Sequence, residues 1–270
     1  MVFGFVAFPR KLEDYLPWAA ENGFEHIEID GTIPSNFPYE FSRHRVESLL
    51  EQVRQLGITL SYHTSYAVNL ADPLRELRTA ARNLIGRCME LAYKLKAKWI
   101  TIHPGYKIGW PDQKNERVPF FVESLKYLLE KAEKQGVQIA VENLNRLMQG
   151  EVFYLGDCFD QLRQIFSSSN SKFLKMTLDF GHAHLNEGVE KYLRTFADRI
   201  ICTHIHDNMG QGVDQHLPVG KGSIDWRRAC KVIKGIDYTG PLCFEVYSDE
   251  EKIAGMKMLR RLLGEEQKGE

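Results

Sequence analysis

The sequence predicts an α/β fold, a single (β/α)8 TIM barrel spanning residues 1–270. Three observations predict it. Short apolar runs rich in β-branched and aromatic residues alternate with longer amphipathic ones along the whole chain. Eight such units can be marked out, the number that closes a parallel barrel. The length, 270 residues, suits one barrel, which typically takes about 250.

Strands are expected at 2–7, 24–30, 58–63, 98–103, 137–142, 173–179, 199–206 and 240–246. Helical patterns lie between them, near 11–22, 42–56, 74–96, 117–135, 157–168, 186–197, 225–234 and 249–264. Gly23, Gly57, Gly136 and Gly240 stand just before strands, where a helix C-cap or tight turn is expected. Asp225 and Asp249 stand where N-caps are expected. Strand alternating with helix implies parallel pairing. The alternative, an open doubly wound sheet, wants a glycine-rich phosphate loop after the first strand, and AFPRKL has none. No linker or low-complexity run divides the chain, so one domain is expected, with the tail at 264–270 frayed.

Composition narrows the function classes. A net charge of −1 gives no global field favouring nucleic acid or an anionic membrane. No stretch approaches the roughly 18 apolar residues of a membrane helix. The start, MVFGFVAFPRKLEDYL, lacks the basic region and long apolar run of a secretory signal. Cys88, Cys158, Cys202, Cys230 and Cys243 are widely spaced, odd in number and form no CxxC pair. They read as reduced thiols of a cytoplasmic protein.

The strand ends carry the chemistry. The third expected strand ends in His63, the fourth in His103, the fifth in Glu142 and the sixth in Asp179. The seventh carries His204 and His206, and the eighth carries Glu245 near its end. In a (β/α)8 barrel the C-terminal edge of the strands is where active sites are built. Taken singly, a strand-end histidine is more often a core group satisfied by hydrogen bonds. Polar groups converging from six strands are costly without a shared partner, and divalent metal is the simplest partner for imidazoles and carboxylates together. His182, three residues after Asp179 in DFGH, and the D-x-H pair Asp214 and His216 can join the set. Glu28 and Asp30 close the second strand, where they line the pocket or cap its loop. Tyr106 and Trp110 follow the fourth strand as an apolar wall or as lid packing. GKG at 220–222 reads as a tight turn more readily than a phosphate loop. His26, His44 and His184 fall outside the pattern and read as structural or solvated.

In order, HTSYAVNLADP, IHPG, VEN, TLDFGHA, HIHDN, DQHLPVGKGSIDW and FEV resemble the xylose-isomerase-like barrel superfamily. It holds sugar isomerases and epimerases and the endonuclease IV group of DNA-repair enzymes. The resemblance covers nearly the whole chain. In the sugar branch it implies one divalent metal held by Glu142, Asp179, His204 and Glu245. His204 is preferred to His206 because the H-x-x-D spacing ends at Asp207. In the endonuclease IV branch it implies three zinc ions held by His63, His103, Glu142, Asp179, His182, His204, Asp214, His216 and Glu245. SYAVNL resembles a DNA-contacting loop of the repair enzymes. IDGTIPSNFPYEF lacks their Pro-Arg-x-Trp-like element, and LEDYLPWAAENGFEHIEID is closer to the sugar branch.

The resemblance thus implies a metal-dependent isomerase or epimerase acting on a sugar or sugar phosphate. Glu142 and Glu245 would be its proton-transfer pair, and His182 would orient a substrate oxygen. His206, Tyr66, Trp110 and Lys221 are candidates for substrate contact, though His206 shares the inward parity of His204 and could instead support the ligands from behind. The expected cofactor is zinc or manganese, one to three ions. The alternative is an endonuclease-IV-like trinuclear zinc phosphodiesterase acting on abasic DNA, the one reading in which DNA is a partner; no membrane partner is expected. A third reading is a metal-binding barrel that has lost its chemistry, against which the full ligand set argues.

Overall fold

The computed structural model describes residues 1–109, 115–146 and 152–264. The apolar runs become strands β1 (Val2–Val6), β2 (His26–Asp30), β3 (Thr59–His63), β4 (Trp99–Ile102), β6 (Gln138–Glu142), β8 (Leu174–Asp179), β9 (Ile200–Ile205) and β10 (Pro241–Phe244). These eight close a barrel in the order β1-β10-β9-β8-β6-β4-β3-β2, every neighbour parallel. The expected ends of β1, β4, β9 and β10 run one or two residues too far, so His103 stands just beyond β4 rather than at its end. The Glu245 N–H still donates to Ile205 O at 3.1 Å, so the ladder reaches the residue that matters.

Helices α1 (Leu12–Glu21), α2 (Arg43–Leu56), α3 (Arg75–Lys94), α4 (Val118–Gln135), α5 (Phe159–Ser167), α7 (Val189–Thr195), α8 (Trp226–Gly235) and α9 (Asp249–Leu262) match the amphipathic patterns. Two features were not expected. β5 (Tyr106–Ile108) and β7 (Val152–Tyr154) form an antiparallel pair in the loops after β4 and β6. A short helix, α6 (Phe180–Leu185), starts directly from the end of β8, where the Asp179 carboxylate caps it by accepting the His182 N–H at 2.6 Å.

Gly23, Gly57 and Gly136 take left-handed φ of 76°, 67° and 75°, as helix ends favour. Gly240 is needed for space instead, since a Cβ there would stand 2.4 Å from Ile201 O. Asp225 caps α8 by accepting from Arg228 N. Asp249 does not cap α9. Ser248 and Glu251 form a reciprocal capping box there, satisfying two end N–H groups at once. Asp249, the first helical residue, pairs with Lys252 and Arg10 instead.

The large apolar residues of the strands, such as Phe3, Phe5, Ile27, Ile29 and Leu60, pack outward against the helices. Period-2 alternation leaves the opposite parity for the barrel interior. That interior is small and polar: Trp99, Ala140, Cys202 and Cys243 form its apolar floor, with His26, Glu28, Ser61, Thr101, Thr177 and His204 buried among them. All five cysteines are free, and Cys202 and Cys243 lie 3.6 Å apart, sulfur to sulfur. Among the described residues no helix is long and apolar enough to cross a membrane. Of the expected frayed tail, only Gly264 lies within the described residues.

Candidate functional site

Four strands deliver the centre of the site. Glu142 and Asp179 end β6 and β8, His204 sits one residue before the end of β9, and Glu245 follows β10. One donor atom from each of Glu142, Asp179, His204 and Glu245 lies within 4.8 Å of every other. His204 Nδ1 stands 3.2 Å from Glu142 Oε1, 3.2 Å from Glu245 Oε2 and 3.9 Å from Asp179 Oδ2. Glu142 and Asp179 are buried, and Glu245 is partly exposed to the cavity above.

Two further groups flank this centre. On one side Glu142 Oε2 accepts from His63 Nε2 at 2.9 Å and from His103 Nε2 at 3.0 Å. On the other, Asp214 Oδ2 accepts from His182 Nε2 at 3.1 Å and His216 Nε2 at 3.0 Å. His63, His182 and His216 share one arrangement. Each gives its Nδ1–H to a backbone carbonyl, of Thr64, Asn143 and Glu245 respectively, and turns Nε2 toward a carboxylate. A backbone carbonyl on one ring nitrogen fixes the tautomer and leaves the other for a ligand. His216 holds a left-handed φ of 47°, uncommon for a non-glycine residue and a sign of an over-determined position.

The carboxylates dominate the field. Burial pushes the His63 and His216 imidazoles down, but the hydrogen bonds and charges of Glu142, for the first, and Asp214, for the second, hold both at about 9. Burial is likewise outweighed at His182 by Asp179 and Asp214 and at His204 by Glu142 and Glu245; both sit well above the usual range. At His103 burial wins, and its imidazole is pushed down. Burial raises Glu142, Glu245 and Asp214, yet the surrounding imidazoles hold all three carboxyls low. Among the described residues, buried Glu245 Oε2, Asp214 Oδ1, His103 Nδ1 and His206 Nδ1 have no hydrogen-bond partner. Buried acceptors left open beside clustered imidazoles form a donor set that fits divalent cations.

A cavity of about 390 Å3 opens over these groups. Tyr66, Tyr154, Leu144, Asn145, Thr32 and Asp30 line it together with His63, His103, Glu142, His182, Asp214, His216 and Glu245. Asp30 both lines the cavity and caps its loop, accepting from Thr32 N.

Several expectations need correction. His206 is fully buried rather than placed for substrate contact. Its Nε2 lies 3.1 Å from both oxygens of Asp179, and its ring stacks on His216 at 4.0 Å. It thereby belongs with His182, Asp214 and His216 as a fourth clustered donor. Lys221 is exposed and does not line the cavity; GKG forms a turn in which the Lys221 N–H donates to Pro218 O. Tyr106 lines a separate apolar cavity. Trp110 lies outside the described residues. His26 bonds Thr59 and Ser61, His184 bonds Ser223, and His44 is exposed, none of them at the site.

One lining residue was missed, and one named residue is placed differently. Tyr154 sits on unexpected β7, with its ring 6.5 Å from His103. Glu28 does not line the cavity but lies fully buried beneath it, its Oε1 2.7 Å from His204 Nε2. The signal was present in HIEID, where alternation puts His26, Glu28 and Asp30 on one inward face.

Fold and site together define a (β/α)8 barrel with a polyhistidine–carboxylate rim. The chain belongs to the xylose isomerase-like TIM barrel family, whose model matches residues 16–262. It is similar to a solved structure described as a D-tagatose 3-epimerase-like protein, with a TM-score of 0.87 and 25% identity over 98% of this chain and 97% of that one. It is 25% identical to "Probable endonuclease 4" of Thermoplasma volcanium over 98% of this chain and 89% of the relative. It is 22% identical to L-ribulose-5-phosphate 3-epimerase UlaE of Salmonella heidelberg over 87% of this chain and 81% of the relative.

Proposed function

We propose that this protein is a divalent-metal-dependent isomerase or epimerase acting on a sugar or sugar phosphate. The observation that carries the reading is the convergence of Glu142, Asp179, His204 and Glu245 to within 4.8 Å at the floor of a cavity of about 390 Å3. That volume falls within the range of small-molecule sites. The epimerase names of its relatives support the same class.

These four residues would hold the metal, zinc or manganese. When bound, it supplies Lewis acidity that makes a C–H beside a substrate carbonyl easier to ionise. Glu142 and Glu245 come from β6 and β10, separated in the barrel by β8 and β9. They therefore reach the cavity from different sides, as proton removal on one face and return on the other requires. The surrounding imidazoles hold both carboxyls in the ionised form that a proton acceptor requires. His182, anchored through Nδ1 to Asn143 O, would orient a substrate oxygen. Tyr66 and Tyr154 would wall the sugar ring.

A second reading, a trinuclear zinc phosphodiesterase acting on abasic DNA, is favoured by one specific observation. His63 and His103 at Glu142, and His182, His206 and His216 around Asp214, form two additional donor clusters. The endonuclease name of a relative supports it too. The discriminating experiment is elemental analysis of protein purified without added metal, paired with an abasic-site oligonucleotide cleavage assay. Bound metal with no cleavage supports the first reading; three ions with efficient cleavage replaces it with the second.

A further inference from the structure

We infer that Glu28 is a positioning residue: from inside the barrel it fixes the orientation and tautomer of His204, so that Nδ1 faces the carboxylates of the rim. The inference rests on the reading of His204 as a ligand.

The geometry begins with the strand register. On β2 the inward parity places Glu28 one step below Asp30, level with Ser61 of β3. There it has no exposure to solvent. Isolating an ionised carboxylate in such a place costs several kcal/mol unless its lone pairs are filled. Three hydrogen bonds fill them. Ser61 Oγ donates to Oε2 at 2.6 Å, Thr101 Oγ1 donates to Oε2 at 3.0 Å, and His204 Nε2 faces Oε1 at 2.7 Å. The two hydroxyls come from β3 and β4, so Glu28 is held by neighbouring strands before it meets the histidine. An ionised carboxylate only accepts, so Nε2 of His204 must carry its hydrogen. That leaves Nδ1 as the one ring nitrogen able to act as a ligand, on the side where Glu142 and Glu245 each lie 3.2 Å away.

The other rim histidines make the assignment specific. His63, His182 and His216 are each oriented by a backbone carbonyl on Nδ1 and present Nε2. His204 alone of these four presents Nδ1, because its anchor comes from below. A backbone carbonyl of an adjacent strand is committed to the sheet ladder, so the barrel interior supplies a side chain instead. Carboxylate–histidine–metal pairs of this kind typically change metal affinity by about 10–100-fold when broken.

The test uses the full chain carrying Glu28→Ala and Glu28→Gln, with Glu142→Ala as the control for the metal reading. Three quantities are measured: the dissociation constant for manganese and for zinc by chelator competition, the thermal midpoint of the metal-free protein, and the His204 ring resonances by NMR. The expected result is a 10–100-fold weaker dissociation constant in Glu28→Ala, with loss of the hydrogen-bonded Nε2 proton signal. Glu28→Gln, whose amide oxygen can still accept from Nε2, should recover part of the affinity and keep that signal. A metal-free midpoint that falls while the dissociation constants stay at the wild-type value overturns the inference, as does an unchanged Nε2 signal in Glu28→Ala. If Glu142→Ala also binds metal as the wild type does, the ligand reading itself has failed. If Glu142→Ala loses metal and Glu28→Ala does not, only the role of Glu28 has failed.

Discussion

Glu142 Oε1 and His204 Nδ1 stand 3.2 Å apart although 62 residues separate them in the chain. β6 and β9 bring them together with β8 between. Their closeness makes Glu142 the most heavily shared group of the site, since its other oxygen accepts from His63 and His103. Glu142→Gln and Glu245→Gln keep the shape but remove the base. Each is expected to slow proton exchange at the substrate carbon by roughly 10²–10⁴-fold. Metal content measured in the same variants separates lost proton transfer from lost metal. Exchange within a few-fold of the wild type, with metal retained, would remove that residue from the pair.

The flanking clusters make a prediction about stoichiometry. Asp214 links His182 and His216 through one oxygen, so Asp214→Asn should abolish metal uptake at that cluster and leave the Glu142 centre intact. In a titration with zinc, the variant should take up one ion fewer per chain than the wild type. Equal uptake by both proteins means that the Asp214 cluster holds no metal, and the phosphodiesterase reading then loses its main support.

Gly181 is predicted to be irreplaceable. A Cβ there would lie 1.9 Å from His206 Cε1, and that ring is fixed between Asp179 and His216. Gly181→Ala should destabilise the protein by about 1–3 kcal/mol or more, as overpacking does, read as a lower urea midpoint. A midpoint equal to that of the wild type would mean that His206 moves freely, against its buried position.

Much of this was legible because period-2 alternation and glycine placement are local. His63, His103, Glu142, Asp179, His204 and Glu245 follow apolar runs, so their place at one rim could be read before any tertiary contact was known. β5 and β7 could not, since each is a three-residue segment whose pairing is decided by the loops that carry it. α6 was hidden because DFGHAHL is too short to show a helical period, and its start depends on Asp179 turning back to cap it. His206 has the inward parity of His204 and reads either as a substrate contact or as a group behind the ligands, and it lies fully buried. Its burial comes from stacking on His216, ten residues away across a loop with no regular pattern. Glu28 was visible as an inward polar residue. Its partner His204, on the far side of the barrel, was not.

A pH prediction concerns the barrel floor. His26 is buried between Thr59 and Ser61, and burial holds its imidazole down at about 4. In the unfolded chain it protonates near 6.5. Its folded value lies below its unfolded one, so stability is full above pH 6.5 and is lost as pH falls toward 4. Between pH 7.5 and 5 the loss should be about 2 kcal/mol, because each pH unit below 6.5 removes about 1.4 kcal/mol. Urea unfolding of the chelator-treated wild type and His26→Gln at both pH values isolates this contribution. Identical pH dependence of the two proteins would contradict it.

The most direct test of the central claim is deuterium incorporation from heavy water into a panel of ketoses and aldoses. Metal-replete wild-type protein and an abasic-site oligonucleotide assay are run in parallel. The account predicts metal-dependent incorporation at the carbon beside the carbonyl of at least one sugar or sugar phosphate, abolished by chelation and reduced in both Glu→Gln variants, with no efficient strand cleavage. Efficient cleavage of abasic DNA with no sugar exchange would contradict it and make the protein a phosphodiesterase.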